Sequence, residues 1–314
     1  MKRKTIIIAI SAALTVSLVF AFSNSGTNKY NNAINEPSDE KTIISDAISS
    51  AVRIVTHSQS ITAPAPYRRD AHAKAHGCLK ATFTVPELNN PILKQGLFSE
   101  PKQYQAWIRF SNGFDRPQSD NVKDARGMAI KVMGVKGEKL LKAEQHEMTQ
   151  DFVMLNNPTF FLPNVKEYTE FIQYQAQGSQ FSFFFNNFNW NIFKWHFQDL
   201  FLGMEILKKP PKSLLTEQYH SLTAYRLGNE NFMKYSAKSC DTNEIYPVAR
   251  DTENFLRTEL QKQLTNRDAC FDFLVQVQNP LKNMPIEDTR VLWDPNDSPF
   301  IPIAKIEIPQ QNFD

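Results

Sequence analysis

Residues 69–85, RDAHAKAHGCLKATFTV, join a cluster of reactive side chains to a strand. Arg69, His72, Lys74, His76 and Cys78 fall within ten positions, with Arg68 just ahead of them. From Leu79 to Val85 apolar and polar residues alternate, as in a half-buried strand. Side chains held at the mouth of a strand are aimed by a rigid scaffold, a common way to build a site.

The chain has 314 residues, 41% of them hydrophobic, enough for one large domain or two small ones with a sizeable core. Eighteen prolines against ten glycines, with 24 phenylalanines, favour short strands and rigid turns over long helices. Lysine and arginine total 35 against 33 acidic residues. This near-neutral balance offers no electrostatic basis for a nucleic-acid partner.

Lys2, Arg3 and Lys4 precede the uncharged residues 5–22, TIIIAISAALTVSLVFAF. At about 1.5 Å per residue this run is at the lower limit for crossing a bilayer. The basic start, the apolar run and the small Ala21 and Ser23 read as a signal peptide over residues 1–23, with an uncleaved membrane anchor as the alternative. Either places the body outside the cytoplasm, in a periplasmic or secreted setting, possible membrane contact being limited to this segment. Cys78, Cys240 and Cys270 allow one disulfide at most, among three pairings, and buried free thiols are the expectation.

Residues 24–66 read as a polar linker and an N-terminal helical arm. In the arm, Ile43, Ile44, Ala47, Ile48, Ala51, Val52 and Val55 recur at helical spacing, which predicts packing on the main body. Strand-like runs follow at 81–85, 105–110, 128–135, 151–155, 232–238, 271–277 and 304–308. Few helices intervene, which predicts an α+β chain built on an antiparallel barrel or sandwich rather than a doubly wound sheet. The longest interruption, 160–225, contains FSFFFNNFNWNIFKWHF at 181–197, with nine aromatic residues. It is too polar to cross a membrane and reads as helical or irregular material packed on the barrel, with a partner surface or an apolar channel as alternatives. Residues 252–264 predict a second amphipathic helix.

Several chemistries lack their motifs. The chain has no G-x-S-x-G, H-E-x-x-H, Walker loop, paired C-x-x-C or C-x-x-C-H. His72 and His76 are four apart, but no third metal ligand stands at a recognisable spacing. What remains is spread over three segments: Arg69-x-x-His72-Ala73-Lys74, then Arg109-Phe110-Ser111 with Asp124-x-Arg126-Gly127, then DFVMLNNPTFF at 151–161. Singly these are a structural histidine, solvated arginines and an ordinary turn. Together, in this order, they are specific.

The order resembles the haem catalase superfamily, whose pattern runs R-V-V-H-A-K-G-A-G-A, V-R-F-S, R-D-P-R-G-F-A-V-K-F and D-L-V-G-N-N-T-P-x-F-F. The corresponding segments here are RDAHAKAHGC, WIRFS, KDARGMAIKV and DFVMLNNPTFF. The likeness begins near Tyr67 and looks closest to the small catalase-related peroxidases. It implies a catalase-like eight-stranded antiparallel β-barrel over residues 67–314, haem b as cofactor, and hydrogen peroxide or an organic hydroperoxide as substrate. By resemblance His72 is the distal acid–base residue, Ser111 orients it, and Arg69 and Arg109 hold the haem propionates. Phe160 is a haem contact, Asp124 and Arg126 are structural, and a homo-oligomer is expected. A neutral imidazole suits its role, because it can take a proton from one peroxide oxygen and return it to the other.

Two departures stand out. Aligned on Phe160 and Phe161, the family's distal asparagine falls on Leu155, and Asn156 comes one place later; a β-bulge would be needed to bring Asn156 to the site. The family's proximal ligand is a tyrosine in R-x-x-x-Y beyond the last barrel strands, and no such tyrosine follows PFIPIAKIEIPQQNFD at 299–314. Since the axial ligand sets haem reactivity, the expectation is a haem-dependent catalase or peroxidase whose activity is impaired. Its alternatives are a peroxidase for organic hydroperoxides and a non-catalytic, haem-binding or haem-free remnant.

Overall fold

In the strand that leaves the opening stretch, Leu79, Ala81, Phe83 and Val85 are buried while Cys78 and Lys80 are exposed. The same alternation, one face apolar and one polar, recurs along its neighbours and makes each strand a stave with an inside and an outside. A computed structural model describes residues 37–62, 69–240 and 252–313. The strands are β1 (Ala75–Val85), β2 (Lys102–Asn112), β3 (Arg126–Met133), β4 (Thr149–Leu155), β5 (Gln218–His220), β6 (Tyr225–Leu227), β7 (Asn231–Ser239), β8 (Ala269–Val277) and β9 (Ile301–Ile308). All seven predicted runs are strands; β5 and β6, three residues each, were not predicted.

Every pairing is antiparallel, in the order β5-β4-β3-β2-β1-β9-β8-β7-β6, and β5 also pairs with β7. This second pairing closes β1-β2-β3-β4-β5-β7-β8-β9 into the expected eight-stranded barrel, leaving β6 as a hairpin ladder on the remaining half of β7. Closure rests on few bonds: Leu155 faces His220 on one side of β5, and three residue pairs join it to β7 on the other.

The inside of the barrel is a packed core. Phe152 and Phe273 rings lie 4.7 Å apart, Phe83 meets Phe273 at 5.3 Å, and Tyr235 meets Phe152 at 5.1 Å. Burying each such ring stabilises the fold by about 1.5–3 kcal/mol. The outer wall is therefore where a site has room.

The helices are α1 (Glu40–Thr62), α2 (Val165–Ala176), α3 (Gln180–Phe184), α4 (Phe197–Ile206) and α5 (Phe255–Asn266). Helix α2 starts cleanly because the Asn164 side chain accepts from the backbone N–H groups of Lys166 and Glu167. Helix α5 buries Phe255, Leu256, Leu260 and Leu264 in the barrel core. The arm packs on the helical insertion of the main body, α1 against α2. Its Ser50 and Ile54 are buried, whereas Ile44, Ile48 and Val52 face solvent, so one stripe of the predicted apolar face stays uncovered. The 181–197 segment is likewise split. Phe183 and Phe184 pack with Leu162, Phe171 and Tyr174 in a cluster separate from the barrel core, and residues 187–194 are exposed.

The cysteines also differ from expectation. Cys240 and Cys270 form a disulfide, and Cys78 is free and exposed. Adjacent strands explain the pair: Cys240 directly follows β7, Cys270 is the second residue of β8, and their Cα atoms lie 5.5 Å apart. Among the described residues no helix is long and apolar enough to cross a membrane. Residues 1–23, and most of the 24–39 linker, lie outside the described residues.

Candidate functional site

His72 precedes β1 in a left-handed backbone conformation, φ 56°. For a residue with a Cβ this costs about 1–2 kcal/mol and persists only when neighbours impose it. Here they do. His72 N donates to the Gly113 carbonyl at 3.1 Å, Ala73 N to that of Phe114 at 3.1 Å, and Arg109 Nη2 to the His72 carbonyl at 2.7 Å. The imidazole is thereby laid against the outer wall of the barrel.

The wall's register determines what the ring meets. Ser111 pairs with Gly127 across β2–β3, and Gly127 pairs with Leu155 across β3–β4. Paired residues point their side chains to the same face, so Ser111, the bare backbone of Gly127 and Leu155 form one row. His72 Nδ1 lies 3.0 Å from Ser111 Oγ, and a Cβ on Gly127 would stand 2.7 Å from Nδ1. Only glycine leaves the imidazole its seat. No protein group among the described residues hydrogen-bonds Nε2.

Burial holds the His72 pKa below the ordinary histidine value; Arg109 and Arg69 push the same way, against a backbone interaction at Asn112 and the Asp70 charge. The ring is thus neutral at neutral pH. In the tautomer whose Nδ1–H donates to Ser111 Oγ, Nε2 presents a lone pair to whatever lies above it. Burial lowers the Arg109 pKa, and the nearby Arg69 charge lowers it further. Neither guanidinium is joined to a carboxylate among the described residues. Two like charges left side by side at a histidine make a receptor for an anion.

Phe160 lies half-buried near this row, with Phe161, in the cluster formed by Ala125, Leu155 and Ile206. Its ring is 6.4 Å from that of Tyr168, whose hydroxyl pKa is raised by burial and by Asp70, the neighbour of Arg69. His72, Ser111, Arg69, Arg109 and Phe160 are therefore gathered at one end of the barrel wall.

Asn156 is not brought to His72, and its expected place in the site is corrected. The β3–β4 ladder has no bulge, so Asn156 falls one residue past Leu155 and on the opposite face. Its Oδ1 accepts from Arg126 N at 2.8 Å and its Nδ2 donates to Glu217 Oε2 at 2.8 Å, which leaves the amide occupied in holding the end of the barrel. Sequence reasoning missed Gly127 as the seat, although glycine inside a strand signals close approach by another group.

The remaining motif residues serve the frame. Lys74 Nζ donates to Asp120 Oδ1 at 2.6 Å and to the Gln118 and Glu253 carbonyls, tying β1 to the start of α5. His76 is fully buried, with Nε2 2.7 Å from Asn112 Oδ1. Arg126, also fully buried, donates to the Asp120 and Val122 carbonyls and pairs with Asp124 at 3.4 Å. His72 and His76 thus belong to different networks, and among the described residues no cluster of three His, Cys, Asp or Glu side chains could hold a metal ion.

The family profile described as Catalase matches residues 66–313. The chain belongs to the catalase family. Among curated proteins, this catalase-family chain is 29% identical over 127 residues to Catalase easC of Arthroderma benhamiae and to that of Trichophyton verrucosum, a match covering 39% of the chain and 24% of each relative. Among solved structures it resembles catalase A from Saccharomyces cerevisiae (TM-score 0.61, 16% identity, 93% of this chain, 59% of that one). A fungal catalase (TM-score 0.60, 14% identity, covered to 57%) and a bacterial catalase (TM-score 0.59, 19% identity, covered to 56%) resemble it too. At these identities the structures attest the fold. The catalase-family chain spans little more than half the length of those structures and matches about a quarter of the curated relatives.

The family implies haem, and the residues present fit it. Arg69 and Arg109, joined to no carboxylate among the described residues, would suit carboxylate-bearing propionates, Phe160 would supply an aromatic contact, and no described group hydrogen-bonds His72 Nε2.

Proposed function

We propose that this catalase-family chain decomposes hydrogen peroxide with His72 as its proton-handling residue. The observation that carries the reading is the His72 Nδ1–Ser111 Oγ contact at 3.0 Å, with Nε2 unpartnered and two arginines joined to no carboxylate among the described residues. Haem b, held through Arg69, Arg109 and Phe160, would supply the redox iron at which a peroxide O–O bond is cleaved. The chain's own residues do the rest. Ser111 fixes the ring, Nε2 takes the proton from one peroxide oxygen, and the same atom returns it to the other as that oxygen departs as water. The lowered pKa keeps Nε2 available as a base, and the Ser111 contact and the Gly127 floor hold the ring in place.

The test is reconstitution. The purified chain supplied with haem should show a Soret band and consume peroxide; His72→Ala should keep the band and lose turnover by about 10²-fold or more. A Soret band with turnover indifferent to His72→Ala would refute the assignment. Arg109→Leu should weaken haem uptake instead.

A second reading, a peroxidase for organic hydroperoxides, is favoured by Leu155. It places an apolar side chain in the His72 row, continuous with Ala125, Ile206, Phe160, Phe161 and Leu222. Such a wall gives hydrogen peroxide no second hydrogen bond but can receive an alkyl group. Comparing turnover of hydrogen peroxide with that of cumene hydroperoxide separates the two. We further propose that the chain works outside the cytoplasm, since residues 1–23 carry a basic, then apolar, leader pattern.

A further inference from the structure

We propose that the aromatic loop between α3 and α4 is a lipid-facing element that enters the interface of a bilayer. Trp190 is 100% exposed and Phe193 93%, and Phe181, Phe188, Ile192, and Phe201 are each more than half exposed. Soluble surfaces carry single exposed apolar residues, whereas a run of this kind marks a covered face.

The loop is built, not merely left over. Asn186, Asn187 and Phe188 hold successive left-handed conformations (φ 45°, 53° and 58°), unfavourable for a residue as bulky as Phe188. They are held by Asn187 N donating to the Ser182 carbonyl at 2.8 Å and by the Trp195 indole N–H donating to the Asn189 carbonyl at 2.9 Å. Beneath them Phe185 stacks on Phe188 at 5.5 Å and meets the edge of Trp195 at 5.0 Å. A packed aromatic base and a strained turn thus present Trp190 and Phe193 away from the protein.

The tip's chemistry suits lipid. Asn189, Asn191 and Lys194 alternate with Trp190, Ile192 and Phe193. Rings of that kind enter the boundary between headgroups and acyl chains while the amides and ammonium stay among headgroups. Position points the same way. Residues 5–22 are uncharged, and the chain they lead reaches the fold at Glu40, where α1 docks on α2 and Thr169 Oγ1 donates to the Ile43 carbonyl at 3.3 Å. The other half of α2, through Phe171 and Tyr174, packs on Phe183 at the base of the loop. The described chain nearest the leader, α1, and the base of the aromatic loop therefore pack on one helix, α2. The 17 residues from 23 to 39 can span at most about 60 Å, so a bilayer engaged by the leader lies within reach of that helix.

The test uses the full chain in vesicles of phosphatidylcholine and phosphatidylglycerol, with or without phosphatidylcholine brominated on its acyl chains. The four tryptophans lie at 107, 190, 195 and 293, none in the leader, so quenching reports the folded body. Brominated lipid is expected to quench the wild type, most strongly with bromines nearest the headgroups, and Trp190→Phe should remove roughly half of that quenching. Trp190 is fully exposed, and an unchanged far-ultraviolet circular dichroism spectrum and melting temperature check that its replacement leaves the fold intact. Equal fractional quenching of wild type and Trp190→Phe overturns the proposal. So does a lipid-free dimer, seen by sedimentation and lost in Phe193→Asp, which would give the face to a second copy. The depth profile of the wild type decides the matter independently of any substitution.

Discussion

Leu155 stands directly opposite Gly127 in the β3–β4 ladder, and so on the face of the barrel wall that carries the His72 imidazole. The asparagine beside it points away, to Arg126 and Glu217. One residue of register thus places an alkyl group where the family carries an amide.

Leu155→Asn should therefore shift selectivity toward hydrogen peroxide. An amide in the row would offer a hydrogen bond beside Nε2, at a stability cost of about 1–3 kcal/mol for displacing a buried alkyl group. The ratio of hydrogen peroxide to cumene hydroperoxide turnover in the haem-loaded protein should rise several-fold. An unchanged ratio would mean that Leu155 does not face the substrate.

Gly127→Ala tests the seat itself. The added methyl would lie 2.7 Å from His72 Nδ1 and 2.8 Å from Ser111 Oγ, so the ring must lift off the wall. Turnover should fall about as far as in His72→Ala, with a stability loss of about 1–3 kcal/mol from overpacking. Full activity in Gly127→Ala would show that the ring can work elsewhere.

Acid should weaken the fold in a way traceable to His220. Burial, and then the Lys208 and Lys234 charges, hold its pKa down to about 4. An unfolded histidine titrates near 6.5, so between these values the unfolded chain binds the proton and the folded one does not. The stability is present above about pH 6.5 and declines as pH falls toward 4, by about 3 kcal/mol in all. Denaturant titrations at pH 7.5 and 5 should show a smaller loss for His220→Gln than for the wild type; equal losses would refute the assignment. His76 is depressed in the same direction and adds to the decline in both proteins, whereas His196, raised by Asp199, opposes it in both.

The Cys240–Cys270 bond closes a loop over a separation of 30 residues. On chain-entropy grounds its loss should cost about 3–4 kcal/mol. Cys270→Ser should show that drop in chemical denaturation, and thiol titration of the native wild type should find one reactive cysteine, Cys78, which is exposed.

The seven long strands were legible because each is long enough to display a period of two, and the distal segments were legible because motif order survives without knowing contacts. Strand β5 was not, since three residues cannot show a period, yet it alone closes the barrel. The apolar spacing of α1 announced a helix but not which stripe would be covered; its partner turned out to be α2, a contact between segments more than 100 residues apart.

From the sequence by itself came an antiparallel barrel or sandwich, read from alternation, and, through a resemblance in motif order, the barrel, the family and the expectation that His72, Ser111, Arg69 and Arg109 share a site, because alternation and motif order are local properties of the chain. Only the tertiary structure decided that Leu155 and not Asn156 shares the His72 row, that Gly127 is its floor, and that Cys240 pairs with Cys270. These depend on cross-strand register, and register is set by neighbours distant in sequence.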